Sequence, residues 1–385
     1  MIIQSKNVWY RDRFQPLQLK ISDTGTIEAI NAYDDALSEE DYSGRIMPGF
    51  ISTHDHGALG SSANEATHEY LDSWSEFLIK EGVTAFYPTT STLSKEGLLQ
   101  ALEVLGSYQG SKEGAQFLGI NAEGPMFSQH PQARGAHMPE NIFPATLDLL
   151  EEMVEASNHQ IKIITIAPDI EGAMDVYDAC VKQGIRIYMG HMNANTQQIR
   201  TAIDHGATGF THLYNGMTSF HHRDVGPIGI GLLDDETYVE IIADGVHASE
   251  EAIELVYRAK NPKKIITITD AIFAKGLPSG EYHRADKGSY IRVDEEGRVF
   301  LESGRLAGST NRLNNLVDYQ INTLGLPAKH VIASVTENPA RMMGLNKGLI
   351  KVGYDADLIC VDNSFRVLDA FVMGKHVFDN VKEIV

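Results

Sequence analysis

The chain is 385 residues long, 43% of them hydrophobic, and 32 Lys plus Arg stand against 52 Asp plus Glu for a formal net charge of −20. That length and apolar fraction suit one large domain with an appendage, or two or three small ones, with a sizeable core. The acidic balance excludes nucleic acid and an anionic membrane as expected partners, since both call for basic surface, whereas a small anionic substrate needs only a few local cations.

Cys180 and Cys360 are the two cysteines. They make neither a disulfide framework nor a thiolate zinc site, and the count fits a reducing compartment. The start, Met-Ile-Ile-Gln-Ser-Lys-Asn, lacks the apolar stretch of a signal peptide, and no apolar run is long enough for a bilayer. A cytoplasmic location is expected.

In chain order, residues 1–46 read as short strands and turns: Ile2-Ile3, Leu17–Leu19 and Gly25–Ile30. The far end, 347–385, reads alike, with Gly348–Gly353, Ala356–Val361 and Phe371-Val372. Strands at both termini predict a small β-sandwich domain built from the two chain ends. Between them strand and helix alternate. Expected strands are Arg45–Thr53, Val83–Pro88, Phe117–Ala122, Ile161–Ala167, Ile185–Gly190, Thr208–His212, Tyr238–Ala243 and Ile265–Thr269. Amphipathic runs such as His68–Lys80, Lys95–Ser107, Thr146–Ser157 and Glu171–Gln183 follow several of them, with Gly82 and Gly184 where helix-terminating glycines belong. This pattern predicts a (β/α)8 barrel over 47–346. The alternative, a doubly wound open sheet, calls for a Gly-rich phosphate loop after its first strand, and none is found. Gly288–Leu301 is expected as a hairpin inserted after the eighth strand, and Asn311–Leu324 and Ala328–Glu337 as helices beside the barrel.

In such a barrel the site forms where strands run out at their C-terminal ends. His54 and His56 follow the first strand, with Asp55 between them turned to the opposite face by strand alternation. Glu123 follows the third strand, His191 the fifth, His212 the sixth and His247 the seventh, and Asp270 ends the eighth. Each of these alone is an ordinary turn residue. Gathered on one rim, imidazoles and carboxylates suit zinc, iron or a similar divalent ion, and the lack of thiolates points to an open hydrolytic site.

Several segments carry a resemblance. They are Glu123-Gly-Pro with Arg134-Gly-Ala-His137, His212-Leu-Tyr-Asn215 with His221-His222-Arg223, Asp244-Gly-Val-His247, Thr269-Asp-Ala271, Leu306-Ala-Gly-Ser309 and Asn338-Pro-Ala340. In that order and spacing the chain resembles the N-acetylglucosamine-6-phosphate deacetylase family of the amidohydrolase superfamily, over nearly its whole length. The resemblance implies that Glu123, His191 and His212 hold the principal divalent metal and that His54 and His56 add a second site. One or two ions per subunit are thus expected, zinc first, with iron or another divalent ion as alternatives. It implies Asp270 as the catalytic acid–base group and His137 as partner of the acetyl carbonyl. Asn215, Gly216, Arg223, His247 and Leu306 would contact the phosphorylated amino sugar, with Arg223 reaching across a homodimer interface. Nucleic acid and membrane are not expected partners.

The chain departs from the family pattern at Ser52, Gly216, Ser219-Phe220, Arg223-Asp-Val-Gly226 and Asn311-Arg312. None of these is an implied metal ligand or Asp270, so they bear on substrate identity more than on reaction type. N-acetylgalactosamine 6-phosphate is the first alternative substrate, and another small amide a more distant one. A scaffold that had lost catalysis would be expected to lose ligands, and here all are present.

Overall fold

Eight parallel strands pair with one another in chain order, as a barrel requires: Phe50–Asp55, Val83–Thr90, Ile120–Glu123, Ile161–Ile166, Arg186–Met189, Ala207–Phe210, Tyr238–Ile241 and Ile265–Thr267. The computed structural model describes residues 1–37, 42–284 and 289–380. Residues 38–41 and 381–385 of the expected terminal segments lie outside the described residues, as does Gly288 of the expected hairpin. The first and eighth strands meet at their C-terminal ends. There the Asp270 N–H donates to the His54 carbonyl (3.2 Å) and the His56 N–H to that of Ala271 (2.7 Å).

Strand alternation divides the apolar residues between two cores. Ala85, Tyr87, Ile163 and Tyr188 fall in one buried set with Ile51, Ile266, Ala340 and Met342. Their neighbours Phe86, Ile164, Ile187 and Met189 fall in another, with Trp74, Leu78, Leu102 and Leu105 from the flanking helices. Those helices start where the sequence supplies caps. Thr67, Ser94 and Thr146 each accept a backbone N–H at the head of His68–Ile79, Lys95–Ser107 and Leu147–Ala156, worth about 1 kcal/mol apiece.

Two runs expected as single strands are divided. Arg45–Thr53 breaks at Gly49, so that Arg45–Pro48 pairs with Leu358–Val361 of the terminal sheet and Phe50–Asp55 opens the barrel. A Cβ on Gly49 would lie 2.1 Å from Thr84 Oγ1, so glycine alone permits the close approach there. Phe117–Ala122 breaks at Gly119, whose φ is +123°. Gln116–Phe117 then pairs beside the second barrel strand, and Ile120–Glu123 becomes the third.

The chain ends form one seven-stranded sheet. Its order is Lys375–Asp379, Val367–Val372, Leu358–Val361, Arg45–Pro48, Ile2–Tyr10, Arg13–Ile21 and Ile27–Ala32. It folds over a core of Ile3, Val8, Leu19, Ile27, Leu358 and Phe371, with the Thr26–Asp355 bridge tying its two halves. Gly348–Gly353, expected as a strand, is irregular: both glycines take positive φ (+74° and +84°), which ends pairing although Ile350 still enters the core. The insertion has three antiparallel strands, Gly280–Arg284, Ser289–Val293 and Val299–Leu301, one more than the hairpin expected. The extra strand, Gly-Glu-Tyr-His-Arg, is polar and half-exposed, and therefore carries no apolar alternation to reveal it. Among the described residues, no helix is long and apolar enough to cross a membrane.

Candidate active site and metal centre

The C-terminal rim of the barrel gathers His54, His56, Glu123, His191, His212 and Asp270 into two adjoining trios. In each, Glu123–His191–His212 and His54–His56–Asp270, the potential ligand atoms lie within 4.8 Å of one another. Glu123 spans the two. Its Oε1 is 3.0 Å from His212 Nε2 and 3.2 Å from His191 Nε2, while its Oε2 is 3.3 Å from His56 Nε2. Asp270 Oδ1 lies 3.1 Å from His56 Nε2 and 3.5 Å from His54 Nε2. Three of these residues, His191, His212 and Asp270, have left-handed backbones with φ of +48°, +31° and +47°. For non-glycine residues that conformation costs on the order of 1–3 kcal/mol each, and such strain concentrates at functional sites.

The hydrogen bonds behind the rings determine what the centre can hold. His56 Nδ1 faces the Thr89 carbonyl (3.0 Å), His191 Nδ1 that of Ala133 (2.9 Å) and His212 Nδ1 that of Asn215 (3.1 Å). A carbonyl only accepts, so each Nδ1 carries the proton and each neutral ring turns its Nε2 lone pair inward. Yet His191 and His212 bring their Nε2 atoms to 3.1 Å, and His54 and His56 to 3.3 Å. Facing lone pairs beside two carboxylates call for positive charge at the centre, and a divalent cation with nitrogen and oxygen ligands fits the donor set.

With no metal ion bound, the same demand falls on protons, which charge rings that would be neutral as ligands. Burial opposes protonating His56, but Asp270 and Glu123 hold its pKa up to about 10. His54 is raised likewise, burial being outweighed by Glu123, Glu240 and Asp270. Burial would raise the Glu123 carboxyl, yet His54 and the approach of His191, His212 and His56 hold it well below the usual range. His191 is pushed down by burial.

The remaining expected residues divide. His137 is buried, its Nδ1 is 2.9 Å from Thr92 Oγ1, and its Nε2 is 3.2 Å from His191 Nε2. Asn215, Gly216, His247 and Leu306 line the cleft above the trios, a cavity of about 320 Å³. Gly216 has φ +61°, and a Cβ there would lie 2.8 Å from His191 Nδ1. His247 Nδ1 is 2.7 Å from Asp244 Oδ2, an oxygen that also accepts from Asn311 Nδ2 (2.9 Å). Among the described residues, His247 Nε2 is buried without a hydrogen-bond partner. Arg223 is not brought in: it is exposed, and its Nη1 lies 3.3 Å from His222 Nε2.

Sequence reasoning missed Glu240, which accepts from Thr53 Oγ1 (2.8 Å) and lies 3.2 Å from His54 Nδ1. Its signal was available: an acid inside the four-residue buried strand Tyr-Val-Glu-Ile needs a partner. It also missed the destination of Asp55, which turns away from the histidines as expected and meets Lys275. Lys275 is buried, ion-paired to Asp55 and 3.4 Å from Glu81 Oε1.

The sequence pattern described as the amidohydrolase family matches residues 45–377. The chain belongs to the amidohydrolase family. Among relatives within it, an N-acetylglucosamine-6-phosphate deacetylase of Vibrio furnissii is 34% identical over 95% of this chain and 92% of its own. An N-acetylgalactosamine-6-phosphate deacetylase of Escherichia coli O157:H7 is also 34% identical, over 93% and 94%. The fold of this amidohydrolase superposes on the crystal structure of N-acetylglucosamine-6-phosphate deacetylase from Thermotoga maritima with a TM-score of 0.89. Identity there is 30%, covering 99% of this chain and all of the other. A mutant of the Mycobacterium smegmatis N-acetyl-D-glucosamine-6-phosphate deacetylase, in complex with N-acetyl-D-glucosamine 6-phosphate, also gives a TM-score of 0.89, at 26% identity over 98% of this chain and 99% of its own.

Proposed function

We propose that this amidohydrolase cleaves the acetamide of N-acetylglucosamine 6-phosphate, giving glucosamine 6-phosphate and acetate. The observation that carries the reading is the pair of adjoining trios joined by Glu123, one of which includes Asp270 where it lines the cleft. The near-full-length relatives supply the substrate class. N-acetylgalactosamine 6-phosphate is the second reading, since the Escherichia coli relative of that name is equally similar.

Glu123, His191 and His212 would hold the principal divalent ion, and His54 with His56 a second. Such an ion, when bound, brings the pKa of water from 15.7 toward about 7 and polarises the amide carbonyl. We take zinc first, because imidazole and carboxylate without thiolate suit it, and iron or another divalent ion next. Asp270 accepts the proton that water loses as its oxygen bonds to the acetyl carbon. The same carboxyl then delivers that proton to the nitrogen as the C–N bond breaks, so the amine leaves neutral. Burial works to raise Asp270, but His56 and His54 hold its carboxyl below its usual range, so it begins the cycle as a base. His137, backed by Thr92, directs Nε2 at the carbonyl oxygen and stabilises the oxyanion. Asn215, Gly216, His247 and Leu306 orient the sugar phosphate. Arg223, exposed and off the cleft of its own chain, completes the site of a second subunit in a homodimer. A cytoplasmic setting is supported by two buried, unpaired cysteines.

Acetate release from a panel of N-acetylated hexosamine 6-phosphates, with metal content measured on the same preparation, tests this reading. Turnover of the gluco substrate is expected to exceed that of the galacto epimer. A reversed preference would install the second reading, and no acetate from any member would end both.

A further inference from the structure

We infer that Arg305, in the turn that follows the inserted three-stranded sheet, is a specificity-determining contact for the substrate's anionic group, supplied by the same chain that supplies Asp270. This rests on the proposed phosphorylated substrate. Among the described residues, the lysines and arginines lining the cleft are Arg284 and Arg305, both on or next to the insertion. The Arg305 side chain makes no hydrogen bond or ion pair among the described residues, so its guanidinium keeps its whole fork of donors for a ligand.

Its backbone, by contrast, is held firmly to the catalytic strand end. The Ser309 N–H donates to the Asp270 carbonyl (2.9 Å), the Ala307 N–H to Val299 (3.2 Å) and the Leu301 N–H to Arg305 (2.8 Å). Ser309 and Arg305 are four residues apart, which limits their separation to roughly 14 Å even if fully extended. The sheet is anchored too: Ile291, Val293 and Val299 pack with Ala274 and Ala307 in a core of their own. A rigidly carried, unpaired guanidinium therefore faces the same cleft as the catalytic carboxylate.

Charge supplies the reason. The chain is acidic overall, and the cleft wall already includes Glu65, Glu123 and Asp270. A phosphate dianion held away from the two metal trios still needs a local cation to reverse that acidic potential, and a guanidinium meets phosphate oxygens in bidentate geometry. Arg305 makes that reversal available within one chain, independently of Arg223.

The test compares wild type, Arg305→Ala and Arg305→Lys on N-acetylglucosamine 6-phosphate and on unphosphorylated N-acetylglucosamine, and titrates each protein calorimetrically with inorganic phosphate. Arg305→Ala is expected to lower kcat/KM for the phosphorylated sugar relative to the unphosphorylated one by about tenfold or more, mainly through KM. It should weaken phosphate binding alongside, with Arg305→Lys recovering part. If wild type is active and Arg305→Ala alters both sugars equally, or neither, the inference is overturned while the proposed function stands. If wild type releases no acetate from either sugar, the proposed function fails, and the phosphate titration alone decides: weaker binding in Arg305→Ala sustains the anion contact, and unchanged or absent binding removes it.

Discussion

At Asp270 a left-handed backbone, a hydrogen bond from Ser309 to its carbonyl and the Nε2 of His56 at 3.1 Å all bear on one carboxylate. Its geometry is thus enforced by its neighbours, and removing the charge should leave the scaffold standing. Asp270→Asn is expected to keep its metal and melting temperature while kcat falls by about 10²–10⁴, the usual worth of a placed acid–base group. Activity close to wild type would move the proton transfer to another residue. His54 and His56 pose a different question, because Glu123 Oε2 reaches His56 while Oε1 reaches His191 and His212. If wild type holds two ions per chain, metal analysis of His54→Gln with His56→Asn should find one. An unchanged count would assign both histidines a purely hydrogen-bonding role.

The first barrel strand carries two functions on its two faces. His54 points to the proposed metal centre, and Asp55 points to a buried triad with Lys275 and Glu81. Two carboxylates and one ammonium leave an excess negative charge in a dry place. Burial consequently lifts Glu81 to about 7, against the pull of Lys275, and Glu81 also accepts a backbone N–H from Leu313 (3.3 Å). The folded pKa lies above the unfolded one, so folding binds a proton here. The associated stability is fully present below the unfolded value near 4.5 and is lost as pH rises through about 7. Urea unfolding from pH 4 to 8 should show wild type losing stability relative to Glu81→Gln as pH rises, by on the order of 3 kcal/mol in total. A difference that stays flat across that range would mean that Glu81 holds no extra proton.

On the scale of the whole molecule, the two chain ends form a sheet beside the barrel, and the insertion after the eighth strand forms a wall of the cleft. Of the expected site residues, His54 lies buried behind that cleft in its trio and Arg223 stays outside it, exposed. If it serves a neighbouring subunit, Arg223→Ala and Asp270→Asn should each be impaired as homodimers, and exchanging their subunits should restore activity. An equal mixture produces one complete site in each mixed dimer, about a quarter of all sites. Assayed at low substrate, no gain on mixing, with exchange verified by a tagged subunit, would place Arg223 on its own cleft or on none.

Much of this was legible from the chain alone, and for a local reason. Barrel strands announce themselves by short apolar runs, and polar residues just beyond such runs stand at one rim, so His54, His56, Glu123, His191, His212, His247 and Asp270 could be named together. Gly82 and Gly184 marked helix ends because positive φ is a property of single residues. The tertiary structure alone decided the partners. His54 meets Glu240 across 186 residues of chain, and Lys275 meets Asp55 across 220. Asn311 reaches Asp244 across 67, and Arg305 shares a cleft with Asp270. Periodicity along a strand tells which face a side chain takes. It is silent on which distant side chain meets it there, because barrel closure and the seating of the inserted sheet bring those groups together.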